Sequence, residues 1–129
     1  MERHISETLT QLGKKMGFSD LTANANGMVH LNIVGIGELF IDVQASGIFV
    51  YLLNRFPVIN FKLISTAYIF CEEKAKYAFL TNPVMEGEDI LGFAIRIEER
   101  QFTSIALVGA IDQLMDMVKR LKQFADRYA

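Results

Sequence analysis

The apolar residues near the start of the chain recur at the spacing of an α-helix. Successive apolar positions between Ile5 and Met16 are four, three and four residues apart, which places their side chains on one side of a helix. These positions are Ile5, Leu9, Leu12 and Met16. Gly17 follows them, and glycine is common directly after a helix. We therefore predict an amphipathic first helix that ends near Gly17.

Three stretches after this helix alternate apolar and polar residues, which is the pattern of half-buried β-strands. They run from Met28 to Val34, from Glu38 to Gln44 and from Ile48 to Asn54. Residues 35–37 and 45–47 connect them, and both connections contain glycine. Connections this short join antiparallel neighbours, so the pattern predicts a three-stranded meander.

A second helix is predicted from Asn60 to Glu73, after Pro57 has ended the third strand. Its periodic apolar residues, spaced by three, four and three positions, are Phe61, Ile64, Tyr68 and Cys71. A short strand is then expected from Ala75 to Leu80, ending at the turn-forming residues 81–83. A stronger strand is predicted from Ile90 to Ile97.

The last part of the chain predicts a long helix. Residues from Gln101 to Leu107 suit either a strand or the start of a helix. Helical spacing then continues through Val108, Ile111, Leu114, Met115, Val118, Leu121 and Ala125. The predicted order is α-β-β-β-α-β-β-α, an α+β fold in which helices flank a twisted antiparallel sheet. A chain of 129 residues has the size of one domain, so residues 1–129 are assigned to a single domain.

Alternation also assigns the strand residues to two faces of the sheet. The predicted core face carries Val29, Leu31, Ile33, Leu39, Ile41, Val43, Ile48, Val50 and Leu52. The opposite face carries Met28, His30, Asn32, Phe40, Asp42, Gln44, Phe49, Tyr51 and Leu53. Phe40, Phe49, Tyr51 and Leu53 are more large apolar groups than a solvated face normally shows. Either a helix of the same chain covers this face, or it is an interface with another chain.

Composition and charge limit the classes of partner that this chain is expected to bind. The chain is 51% hydrophobic, yet no apolar run approaches the roughly 20 residues of a membrane span, so no membrane insertion is expected. Its first residues lack the apolar segment of a signal peptide, and we expect a cytoplasmic location. The net charge is -2 and the basic residues are scattered, which disfavours nucleic acid as a partner.

Catalytic and cofactor motifs are not evident in the sequence. The patterns of nucleotide cradles, zinc hydrolases, nucleophile elbows and paired thiols do not occur. His4 and His30 have no second metal ligand at helical spacing. The single cysteine, Cys71, lies in an apolar stretch and is expected to be buried and inert. We therefore expect no catalytic residue, no metal and no cofactor, while a small-molecule site or an enzyme of unrecognised type stays as a less favoured alternative.

The segment Glu7–Leu21 resembles the opening helix and following turn of class I type III secretion chaperones, the CesT/SycE-like family. The strands Met28–Ile33, Leu39–Val43 and Gly47–Leu52 are similar to the first three strands of that family. The strand from Ile90 and the closing helix match it more loosely. The likeness covers most of the chain through element order and apolar positions, without an invariant motif. Residues 74–88 are longer and more polar than the family pattern, and residues 122–128 also resemble YbjN-like domains.

The resemblance implies a small bacterial homodimer that acts in the cytoplasm without a cofactor. Such a chaperone binds an extended segment near the N-terminus of a secreted effector, fills apolar patches, adds a strand to a sheet edge and keeps the effector secretion-competent. By this analogy the effector-binding residues would be Leu9, Leu12, Leu31, Phe40 and Phe49. The dimer interface would involve Phe61, Ile64, Tyr68 and Phe93. The alternative is a YbjN-like interaction or regulatory domain that is not tied to secretion.

Overall fold

The structure is a computed structural model that describes residues 2–16 and 27–128. Within these residues the chain forms three α-helices, five strands and one short 3₁₀ helix. None of the described helices is long and apolar enough to cross a membrane. The elements are α1 (Glu2–Met16), β1 (Met28–Ile33), β2 (Gly37–Gln44), β3 (Gly47–Arg55), α2 (Phe61–Cys71), β4 (Thr81–Glu86), β5 (Ile90–Ile97), the 3₁₀ helix (Glu99–Gln101) and α3 (Ser104–Tyr128).

The five strands form one antiparallel sheet in the order β1-β2-β3-β5-β4. The predicted meander of β1, β2 and β3 and the predicted α+β element order are confirmed. β5 pairs with β3, so β4 is placed at the outer edge although it precedes β5 in the chain. The sheet therefore has β1 and β4 as its two edges among the described strands.

The core lies between one side of the sheet and the helices. α3 packs on β3 and β5, while α1 and α2 pack against α3. Six residues of the predicted core face are buried on β1, β2 and β3, and the pattern continues on β5 through Leu91, Phe93, Ile95 and Ile97. Leu53, which alternation assigned to the opposite face, is buried as well with only 8% of its surface exposed, so it is not part of the exposed apolar surface predicted there. α1 contributes Ile5, Leu9 and Leu12 to the same core. The end predicted for this helix, at Gly17, lies outside the described residues.

The prediction between α2 and β5 was wrong. Residues 72–80 form turns and irregular backbone, and the fourth strand runs from Thr81 to Glu86 through residues that were assigned to a turn. Pro83 lies within this strand. Proline is tolerated in an edge strand because its missing N–H is required only where a neighbouring strand accepts it, and β4 is such an edge.

The ambiguous stretch from Gln101 to Leu107 contains no strand. It includes the end of the 3₁₀ helix and the start of α3. The Thr103 side chain caps α3, since its Oγ1 accepts a hydrogen bond from the Ala106 N–H at 3.1 Å. Thr103 satisfies an N–H that has no partner within the first turn of the helix.

Candidate functional site

One side of the sheet is covered by none of the described helices, and we call it the open face. It is defined by His30, Phe40, Asp42, Phe49 and Tyr51. His30 stands directly opposite Phe40, and Phe40 directly opposite Tyr51. The rings of His30 and Phe40 stack with centroids 4.4 Å apart and planes 9° apart. Aromatic side chains on three neighbouring strands therefore form one row across the sheet.

Phe49 extends this row along β3. Its ring lies 6.3 Å from the ring of Tyr51, with the planes 14° apart. Phe40, Phe49 and Tyr51 are each half-buried, because neighbouring side chains of the sheet shield only part of each ring. Of the two alternatives for this face, a covering helix of the same chain is not found among the described residues. The open face presents an apolar, aromatic surface that another molecule could bury.

Two carboxylates lie on the open face beside the aromatic row. Glu38 Oε1 is 3.0 Å from His30 Nε2, and Asp42 Oδ2 accepts a hydrogen bond from Gln44 Nε2 at 2.5 Å. Burial raises the pKa of the Tyr51 hydroxyl, and the negative charge of Asp42 raises it further. Both effects favour the neutral phenol, which can donate a hydrogen bond.

A second exposed apolar surface lies on α2. This helix is apolar around most of its circumference, yet only Leu63 and Ala67 are buried. Phe61, Tyr68 and Ile69 are 85%, 56% and 58% exposed. A helix that is apolar on all sides normally contacts protein on all sides. The outer side of α2, which we call the α2 surface and define by these three exposed residues, therefore has the composition of an interface.

Two polar clusters hold the connection between α2 and β4 on α3. In the first, the guanidinium of Arg120 donates to Glu73 Oε1 at 3.0 Å and to the Tyr77 hydroxyl oxygen at 2.6 Å, and it lies 4.0 Å from the centroid of the Phe70 ring. The Tyr77 hydroxyl in turn donates to Asp116 Oδ2 at 2.6 Å. In the second, the Gln113 side chain is hydrogen-bonded to the backbone of Phe79 and to the Thr81 hydroxyl. Together they set the position of β4 relative to α2.

Five residues were predicted to bind an effector, and the structure separates them. Phe40 and Phe49 lie on the open face, and Leu31 is half-buried on the core side of β1. Leu9 and Leu12 are only 2% and 0% exposed, because they form the buried side of α1. A side chain in the core cannot contact a partner, so Leu9 and Leu12 are removed from the candidate surface.

The predicted dimer residues are separated in the same way. Phe61 and Tyr68 lie on the α2 surface, and Ile64 is half-buried beside them. Phe93 has no exposed surface, since it points from β5 into the core, and it is removed from the candidate interface. Ile69 was missed, although the apolar composition around the whole of α2 was a signal that could have identified it.

Cys71 is half-buried at the end of α2, where burial, with a smaller effect of Glu72, raises the pKa of the thiol to about 11. The thiol stays protonated at neutral pH, and a protonated thiol is a poor nucleophile. Among the side chains that the structure describes, no cluster of three or more His, Cys, Asp or Glu residues could hold a metal ion.

Comparison with known proteins gives structural likeness without sequence likeness. No family model and no curated protein matches the sequence. The fold is type III secretion chaperone-like. The crystal structure of the ExsC-ExsE complex matches with a TM-score of 0.76 and 11% identity, over 95% of this chain and 94% of that one.

The crystal structure of YbjN from E. coli matches as well. Its TM-score is 0.59 at 15% identity, over 95% of this chain and 92% of that one. The sequence-based resemblance to secretion chaperones is thus confirmed at the level of the fold, and the structure of YbjN is similar in fold as well.

Proposed function

We propose that this protein is a type III secretion chaperone. It binds the N-terminal segment of a secreted effector as a cytoplasmic homodimer and keeps that segment extended and secretion-competent. The observation that carries the proposal is the open face, an uncovered aromatic surface on a fold shared with ExsC, which was crystallised with ExsE. Phe40 and Phe49 are the proposed apolar contacts for the effector.

The edge of β1 is the proposed position for an added strand. The bond from the Val43 N–H to the Gly27 carbonyl, at 2.8 Å, sets the register of β1 on β2. Antiparallel alternation then directs the backbone N–H and C=O groups of His30 and Asn32 away from β2. β1 contains no proline, lysine or glycine that would discourage pairing.

The opposite edge is less suited to strand addition. Pro83 lies in the middle of β4 and has no N–H to donate. The helix α2 lies beside this edge, since it packs against β4. We therefore place the effector segment at the β1 edge and the open face, and the second copy of the chain at the α2 surface. Leu31, which lies on β1, would contact the side chains of the added strand.

The dimer brings the α2 surfaces of two copies together. Phe61 and Tyr68 are separated by about two turns of one helix, so they lie in one stripe along the same side of α2. A two-fold axis through this stripe would bury the same residues of both copies, with Ile64 at its margin.

Solution mass and complex formation test the proposal together. Light scattering coupled to size-exclusion chromatography at micromolar concentration should give twice the chain mass of 14.6 kDa. The disordered N-terminal segments of proteins encoded next to this gene, mixed with the dimer one at a time, should include one that forms a stable complex. A strict monomer, or a dimer that binds none of these segments, would contradict the proposal.

A YbjN-like interaction or regulatory domain is the second candidate function. The likeness of the fold to YbjN, a proposed transcription regulator, favours it. This candidate predicts no complex with any neighbouring effector-like segment. The mixing experiment therefore separates the two candidates, whatever the oligomeric state.

A further inference from the structure

Glu38 and Asp42 are the carboxylates of the open face. Within the described part of the chain their only basic neighbour in hydrogen-bond contact is the imidazole of His30, which is bonded to Glu38. Asp42 is bonded to the neutral amide of Gln44. Glu38 is bonded to His30, which is charged only when it is protonated. Neither carboxylate forms an ion pair with a lysine or an arginine among these residues. The open face therefore carries two carboxylates with which no described lysine or arginine forms an ion pair.

The two arginines on the same side of the sheet are held elsewhere. Arg55 is paired with Asp89 in the loop that precedes β5. Arg96 donates to the carbonyl oxygen of Ser46 in the turn between β2 and β3. Each guanidinium is therefore engaged by a loop group and pairs with neither Glu38 nor Asp42, although Arg55 lines the same cavity as Glu38 and Arg96 lies in the same cross-strand row as Asp42.

The spacing along β2 places an aromatic ring between the two carboxylates. Glu38, Phe40 and Asp42 are alternate residues of one strand, so each carboxylate-bearing residue is about 7 Å along the strand from Phe40. Tyr51, directly across from Phe40, presents a second ring. A cation is attracted to the face of an aromatic ring within about 6 Å, and carboxylates on both sides add to that attraction.

We infer that the open face recognises a polypeptide segment in which a lysine or arginine stands beside apolar residues. The inference rests on the proposed polypeptide-binding function and adds the chemistry of the partner. The basic side chain lies between Glu38 and Asp42 against the face of Phe40 that is not stacked on His30, and its apolar neighbours cover Phe49 and Tyr51. A nucleic acid, whose bases also stack on aromatic rings, fits less well because its phosphates would approach two carboxylates.

Two matched synthetic peptides test this inference on the full-length protein. They share an alternating leucine and threonine sequence and differ only in a central lysine or glutamate. We expect the lysine peptide to bind about tenfold more tightly, from one cation–π contact and one or two exposed ion pairs. Its binding should shift the backbone amide resonances of Phe40, Asp42 and Tyr51, and the preference should shrink as salt is raised.

Substitutions test whether the preference for the lysine peptide depends on the carboxylate of Asp42. Asp42→Asn should reduce the discrimination between the peptides several-fold without loss of fold, because the amide keeps the size of the side chain. Asp112→Asn is the matched control, since Asp112 is an exposed carboxylate on α3. The control should leave the discrimination unchanged.

Each contrary outcome has a distinct meaning. Equal binding of both peptides to the open face, or preference for the glutamate peptide, would overturn the inference and leave the polypeptide-binding function intact. If neither peptide shifts the open-face resonances, the assignment of this face to polypeptide binding fails as well. Tighter binding of a short single-stranded oligo-dT than of the lysine peptide would overturn the inference in favour of nucleic acid.

Discussion

The side chain of Gln113 holds the backbone of Phe79 through both ends of its amide. Its Nε2 donates to the Phe79 carbonyl oxygen at 2.8 Å, and its Oε1 accepts the Phe79 N–H at 3.0 Å. The same Nε2 donates to Thr81 Oγ1 at 2.7 Å. A buried residue of α3 thus supplies the hydrogen bonds that an adjacent strand would otherwise provide where β4 begins.

Replacement of Gln113 by leucine should destabilise the protein. The change removes three hydrogen bonds and leaves the Phe79 N–H without a partner, while the Phe79 carbonyl keeps the bond that it accepts from the Thr81 hydroxyl. We expect a loss of about 2–4 kcal/mol in the free energy of unfolding. Urea denaturation followed by circular dichroism measures the change. Gln123→Leu is the control, because Gln123 is exposed on the same helix. Equal stability of the two variants would show that these bonds contribute little.

The stability of the protein should fall in alkaline solution through Tyr77. Burial, followed by the hydrogen bond to Asp116, raises the pKa of Tyr77 to about 12 from the ordinary value of 10.0. The unfolded chain therefore releases this proton at lower pH than the folded chain. The contribution of Tyr77 is fully present below about pH 10 and is lost as the pH rises towards 12.

Comparison with Tyr77→Phe isolates this effect. The stability advantage of the native protein over this variant, measured by urea denaturation, should shrink as the pH rises from about 10 to 12. Tyr51 and Cys71, whose pKa values are also raised, remain in both proteins and cancel in the difference. Tyr68→Phe serves as the control on an exposed tyrosine. An advantage that stays constant across this window would refute the prediction.

Phe49→Glu should weaken partner binding and leave the fold intact. Phe49 is half-buried on the open face, so a carboxylate there remains solvated in the free protein but would be buried in a complex. Binding of the effector segment, measured by calorimetry, should fall by at least about tenfold, as for loss of an aromatic interface residue.

Phe93→Ala provides the contrast for Phe49→Glu. Phe93 is fully buried, and its truncation should cost about 3–5 kcal/mol of folding stability. Thermal unfolding distinguishes the two variants. If Phe49→Glu unfolds the protein as Phe93→Ala does, Phe49 belongs to the core and the assignment of the open face is wrong.

Charges on the α2 surface should produce a monomer. Phe61→Glu combined with Tyr68→Glu places two carboxylates on the proposed two-fold interface, where like charges from both copies would meet. The mass in solution should fall from twice 14.6 kDa to that of one chain.

Ile105→Glu is the control for the α2 surface, because Ile105 is an equally exposed apolar residue at the start of α3. This variant should remain a dimer. A dimer that survives both glutamates on α2 would move the interface to another surface.

Local patterns in the sequence were sufficient to predict most of the secondary structure. The apolar spacing from Ile5 to Met16 identified α1, and β5 was predicted with its observed bounds, Ile90–Ile97. Strand alternation also separated the core face from the open face, because consecutive side chains of a strand point to opposite sides of the sheet. Phe40 and Phe49 were recognisable as surface candidates for this reason.

Contacts between distant segments decided the remaining features. Residues 81–83 were predicted as a turn, and they became strand because β5 inserts beside β3 and offers an edge on which proline is tolerated. Leu9, Leu12 and Phe93 were assigned to interfaces although they are core residues. Periodicity reports which residues share a side of an element, but it does not report whether that side meets the same chain or a partner.

The order of the elements and the two faces of β1, β2, β3 and β5 could be read from the sequence alone, since both depend on residues close together in the chain. Tertiary contacts were needed to establish which face is left uncovered by the described helices and where β4 lies. They also showed that Glu38 and Asp42 flank the aromatic row without a lysine or arginine partner in the part of the chain that the structure describes. These properties depend on groups far apart in sequence. Two hydrogen bonds are examples: Arg96 donates to the carbonyl oxygen of Ser46, and Gln113 donates to that of Phe79. Each joins segments that only folding brings together.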